Sequence, residues 1–171
     1  MPRSMVYTVD VDVPAAEMYR NFTGIGYWED LVAFYRDNAA ETEIAHFATG
    51  DSGTDVAFSH ILSARDLPPI ARPVLPGTFV ITREQHFDPF DEATNTARGH
   101  YRAIVPAVPV QVTGDYTLLN TSPGSQMRLE TVCTARVPLI GGQIEQLLAN
   151  GLRTLFAKEG EFTADWIGGH R

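Results

Sequence analysis

Residues 139–167 carry one uninterrupted amphipathic pattern, about eight turns long at ~3.6 residues per helical turn. At ~100° per residue, Ile144, Leu147, Leu148, Gly151, Leu152, Leu155, Phe162 and Trp166 share one arc. Gln146, Asn150, Arg153, Ala157, Glu161 and Ala164 lie opposite them. Pro138 stands before the pattern and Gly168-Gly169 after it, the usual punctuation of a helix. Such a helix is marginal in water until its apolar stripe is covered. From residue 39 to the helix the sequence period is two, so the cover is a sheet.

The chain in front of the helix supplies that sheet. Met5 to Asp12 alternates, with Met5, Tyr7, Val9 and Val11 on one face. Pro14 opens a short helix, Ala15 to Phe22, which Thr23-Gly24-Ile25-Gly26 breaks. Tyr27 to Asp37 forms a second helix with Trp28, Leu31, Val32 and Tyr35 inward. Glu41–Thr49 and Thr54–Ser63 flank the hairpin turn Gly50-Asp51-Ser52-Gly53. After a proline-rich loop from Asp66 to Gly77, strands follow at Thr78–Phe87, Asn95–Val105, Val110–Asn120 and Gln126–Val137.

Parity assigns each strand an inner face. Met127, Leu129, Thr131, Cys133 and Ala135 share a side, as do Val112, Gly114, Tyr116 and Leu118, and Ala97, Gly99, Tyr101 and Ala103. The Thr78–Phe87 strand has two phases: one turns Arg83 and Gln85 inward, the other Glu84 and His86. Ala97, Gly99, Ala103, Gly114 and Ala135 are small for an inner face, so space for a pocket is expected beneath the helix.

Bulk properties exclude several classes. A length of 171 residues, 44% of them hydrophobic and 20% charged, suits one domain, 1–171, with a sizeable core. A net charge of −8, with Lys158 the only lysine, argues against nucleic acid and anionic membrane surfaces, which want clustered cations. The one cysteine, Cys133, allows no internal disulfide and fits a reducing, cytoplasmic setting. No apolar signal core follows Met1, and Pro106 and Pro109 interrupt the most apolar stretch, so no membrane insertion is expected.

The order of one strand, two short helices, six antiparallel strands and a long final helix resembles the helix-grip fold of the START-like (SRPBCC) superfamily, an α+β class. That superfamily also holds polyketide cyclases and pathogenesis-related plant proteins. Val137-Pro138-Leu139-Ile140-Gly141-Gly142, Glu159-Gly160-Glu161-Phe162 and Trp166 resemble, more narrowly, the actinobacterial DUF2505 family. The resemblance implies a seven-stranded sheet wrapped around the helix and an apolar cavity between them. It carries over no catalytic residue.

Single residues sharpen the expectation. Gly50-Asp51-Ser52-Gly53 spells a protease nucleophile loop but lacks any placed base, and a hairpin explains it. His46, His60, His86, His100 and His170 have no ligand spacing, so no metal and no cofactor is expected. His60 lies in line with Val56, Phe58 and Leu62, as a core histidine or one facing a ligand. Glu159 falls inside the apolar arc, where a carboxylate is costly unless paired. It faces the cavity with a raised pKa, reaches water at the helix end, or meets an arginine, with Arg83 the first candidate. Gly151 is on the same arc, where close approach of a strand or ligand would justify it.

The expected function is binding of a hydrophobic small molecule (lipid, polyketide or isoprenoid). Phe58, His60, Arg83, Tyr101, Tyr116, Leu129, Thr131, Gly151, Leu155 and Glu159 form the expected lining, and the Leu67–Pro76 loop is the candidate lid. Two alternatives stand beside it. One is a polyketide cyclase or dehydratase using Glu159, His60 or Tyr101 as proton carriers. The other is a partner-binding domain with a closed pocket.

Overall fold

A computed structural model describes residues 2–38, 41–63, 65, 67–74, 77–106 and 108–170. The chain runs β1 (Arg3–Val11), α1 (Ala15–Phe22), α2 (Ile25–Asn38), β2 (Glu41–Gly50), β3 (Gly53–Ser63), β4 (Thr78–Phe87), β5 (Thr96–Ile104), β6 (Val110–Asn120), β7 (Ser125–Ala135) and α3 (Gly141–Gly169). The seven strands make one antiparallel sheet in the order β1-β7-β6-β5-β4-β3-β2. β2 to β7 form a meander, and β1 closes on β7 with Arg3 opposite Cys133 and Val11 opposite Ser125.

Local chemistry explains the helix ends. The Pro14 carbonyl accepts from the Glu17 and Met18 N–H groups at 3.0 and 3.1 Å, and the Ala15 N–H donates to Asn120 Oδ1 at 2.8 Å. A side chain from β6 thus satisfies a donor that the first turn leaves free. α2 begins at Ile25, two residues earlier than the sequence suggests, because a glycine inside a helix costs only ~1 kcal/mol. α3 begins at Gly141, since Leu139 takes a left-handed φ of 70° and the Gly141 N–H turns back to the Val137 carbonyl at 2.9 Å.

All three helices cover one face of the sheet. Phe22 of α1 stacks on Phe87 at 5.1 Å, and Trp28 of α2 meets Phe58 at 5.7 Å. α3 lies over β1 and β7. Gly160 permits that approach: a Cβ there would sit 3.1 Å from a Val9 methyl. Phe79, Arg83, Gln85 and Phe87 are buried, which settles the phase of β4 with Arg83 and Gln85 inward. The packed stripe of α3 is Ile144, Glu145, Ala149, Phe156, Thr163 and Ile167. It is rotated from the purely apolar arc, because Glu145 accepts from the Ala135 N–H at 3.0 Å and the Thr163 hydroxyl bonds Tyr27 Oη and the Glu159 carbonyl.

Candidate functional site

Because α3 is seated on β1 and β7, its outer turns stand away from the middle of the sheet. A cavity of about 230 Å³ lies there. Leu62, Ile81, Ala103 and Val112 form its floor, and Leu148, Leu152 and Leu155 its roof. All but the buried Val112 are half-buried, because they face open space rather than one another. The small side chain of Ala103 is part of what leaves the volume. Gly114 does a different job, giving room to the Tyr101 ring, whose Cε1 would lie 2.2 Å from an added Cβ.

The polar end of the cavity is built around Arg83. Its two terminal nitrogens meet both carboxylate oxygens of Glu159, with the Nη2–Oε2 contact at 3.1 Å. The same guanidinium donates to Tyr35 Oη at 3.4 Å and to Gln85 Oε1 at 3.3 Å. Tyr116 donates its hydroxyl to Gln85 Oε1, and Tyr101 shares a hydrogen bond with Thr131. Burial pushes the Glu159 carboxyl up to about 8 from an ordinary 4.5. The charged fork of Arg83 opposes that push and holds the carboxylate ionised.

A second chamber, of about 40 Å³, lies on the other side of this pair. Gln85, Tyr116, Glu159 and Thr163 line it along with apolar groups such as Met127 and Leu129. Arg83 and Phe156 line both spaces and so form the wall between them. Two donors in this wall, Arg83 Nε and Gln85 Nε2, are buried with no hydrogen-bond partner among the described residues.

His60 projects into the larger cavity, its ring edge-on to Tyr35 at 5.1 Å and its Nδ1 bonded to the Thr42 hydroxyl at 3.0 Å. Burial, with the Arg83 charge adding to it, pushes the imidazole down to about 4 from an ordinary 6.5. Between those values the unfolded chain binds more protons than the folded one, so stability falls as pH drops through that window. His60→Gln is expected to flatten this loss in urea unfolding compared at pH 4.5 and pH 7. An unchanged slope would assign the effect to another group.

Of the three arrangements open for Glu159 from the sequence, pairing with Arg83 is the one found. Of the ten residues expected to line a site, His60, Arg83, Tyr101 and Leu155 line the larger cavity, and Tyr116, Leu129 and Glu159 line the smaller with Arg83. Phe58 and Thr131 are buried behind these walls, Phe58 beneath Trp28 and Thr131 against Tyr101. Gly151 is exposed, and an added methyl there would meet nothing within 4 Å. No strand or wall of the cavity approaches it, because α3 is rotated from the assumed arc. The glycine that permits close approach is Gly160. Within the candidate lid, Arg72 bonds the Leu67 carbonyl at 3.0 Å; Leu75 and Pro76 lie outside the described residues. Sequence reasoning missed Phe156 as a wall, although it lies four residues beyond Leu152 and so on the same helix face.

A curved antiparallel sheet gripping a long C-terminal helix, with a cavity between, defines the helix-grip fold. The chain belongs to the DUF2505 family: the model described as "Protein of unknown function (DUF2505)" matches residues 6–167. An uncharacterized protein of Mycobacterium tuberculosis is 31% identical over 172 residues, covering 98% of each chain. The fold is shared with a Thermus thermophilus protein, TTHA0849, at a TM-score of 0.60 and 11% identity over 99% of both chains. It is shared too with norcoclaurine synthase from Thalictrum flavum in complex with dopamine and hydroxybenzaldehyde, at a TM-score of 0.54 and 13% identity. That match covers 100% of this chain and 89% of the synthase. No described helix is long and apolar enough to cross a membrane.

Proposed function

We propose that the protein binds a small hydrophobic molecule between the sheet and α3, in a cytoplasmic setting. The cavity of about 230 Å³, walled by Leu62, Ile81, Ala103, Val112, Leu148 and Leu152, carries this reading. Its size narrows the ligand. An apolar cavity of ~150 Å³ takes up benzene, and common ligand pockets run from ~300 Å³ upward. A compact molecule of one or two rings, or a short branched chain of isoprenoid or polyketide type, fits; a complete lipid does not. Desolvation of the ligand and of these walls supplies the affinity, at ~25 cal/mol per Å² of apolar surface.

Calorimetric titration with naphthalene tests this. Saturable one-to-one binding is expected, and Ala103→Trp, which fills the cavity from its floor, is expected to abolish it while leaving the far-ultraviolet circular dichroism intact. Absence of binding to the native protein would overturn the proposal.

A further inference from the structure

The wall between the two chambers holds a pattern that an apolar cavity does not need. Arg83 is 6% exposed and Gln85 4% exposed, and each keeps one N–H donor without a partner among the described residues. Leaving a buried donor unsatisfied forfeits its hydration with nothing in return, so two in adjacent inward positions of one strand point to a missing acceptor. The chamber they border, at about 40 Å³, exceeds the ~10–15 Å³ that one water needs. It is large enough for a polar head group and too small for a ring.

Charge decides what kind of head group. Glu159 already neutralises Arg83 through both oxygens. A carboxylate arriving beside that pair would leave a net negative charge in a buried space, which is expensive. A hydroxyl would bring a proton of its own, while Gln85 Oε1 already accepts from Arg83 Nη2 and from Tyr116. A neutral carbonyl oxygen has two lone pairs and no proton, which matches two free N–H donors.

Resting on the apolar-cavity reading, we infer that the ligand is a hydrophobic ketone, quinone or related carbonyl compound, with its oxygen received by Arg83 Nε and Gln85 Nε2. The ring system fills the larger cavity and the oxygen is directed past the Arg83 guanidinium, which borders both spaces, toward Gln85. Phe156, edge to face with Tyr101 at a ring-centre distance of 6.2 Å, borders both spaces, while Tyr101 borders the larger.

Four bicyclic probes of nearly equal size separate the outcomes: tetralin, 2-tetralone, 2-tetralol and 2-naphthoate, titrated calorimetrically at pH 7. The ketone is expected to bind at least about tenfold tighter than tetralin, since hydrogen bonds from charged donors are worth about 1.5–3 kcal/mol. Its carbonyl stretch is expected to shift to lower frequency on binding. In Gln85→Met the ketone's advantage is expected to shrink severalfold while tetralin affinity holds. Equal binding of ketone and tetralin would overturn the carbonyl assignment and leave the apolar cavity standing, with water on the two donors. Tighter binding of the alcohol or the carboxylate would overturn it too. Binding of none of the four would sink both the assignment and the cavity reading. The native-protein ratios decide the matter even if Gln85→Met fails to fold.

Discussion

Glu159→Gln is expected to lower unfolding stability by about 3–5 kcal/mol, the usual result of removing one partner from a buried ion pair. The glutamine amide fills the same space but leaves the Arg83 guanidinium in the interior without its counter-charge. The double variant Arg83→Met/Glu159→Leu is expected to recover most of that loss, because both charges leave together. Urea unfolding of the single and double variants measures this, and no recovery in the double variant would refute the pairing as the cause. Arg83→Met alone has its own signature. Without the fork, nothing offsets the burial that raises the Glu159 carboxyl. A raised folded value means stability is full below the unfolded ~4.3 and is lost as pH climbs through that window. The Arg83→Met protein should therefore be most stable in acid, with a slope opposite to the one His60 imposes.

Phe156→Ala is expected to lose about 3–5 kcal/mol, in the range of buried phenylalanine truncations. Its ring is 2% exposed and meets Tyr7 at 6.0 Å and Tyr101 at 6.2 Å. Unlike an ordinary core truncation, this one also removes a partition. The chambers of about 230 and 40 Å³ should merge. Larger guests such as anthracene should then bind where the native protein refuses them. Thermal melts and titrations with naphthalene and anthracene give the two readouts. A variant that is destabilised but keeps the native size limit would show that Phe156 is packing and not a wall.

Strand identity and inner faces were legible because parity in β1, β5, β6 and β7 is carried by residues with strong preferences, such as Val9, Tyr101, Leu118 and Leu129. β4 was not, since both of its phases bury polar groups. The choice falls to Arg83 and Gln85 because Glu159, far away in sequence, waits at that position on α3. The ion pair itself was within reach of the helical wheel: a carboxylate inside an apolar arc demands a partner. The rotation of α3 was not. Hydropathy ranks Leu147 above Thr163 and Glu145, but Thr163 and Glu145 are buried through hydrogen bonds that only the folded chain provides. Volume was legible only as a tendency, from Ala103 and its small neighbours.

The place of β1 beside β7 has a consequence for biosynthesis. β1, made before the other six strands of the sheet, takes as its partner the last of them, with Met5 waiting for Thr131 and Val11 for Ser125. Closing a loop of that span is slow, and topologies rich in such distant pairings fold slowly. At ~5–20 residues per second, translation leaves Met5, Tyr7, Val9 and Val11 unpaired for several seconds. α3, which rests on β1 as much as on β7, emerges later still. The nascent chain can therefore build its β2–β6 meander early, but the grip around the helix closes only after β7 and α3 have been made.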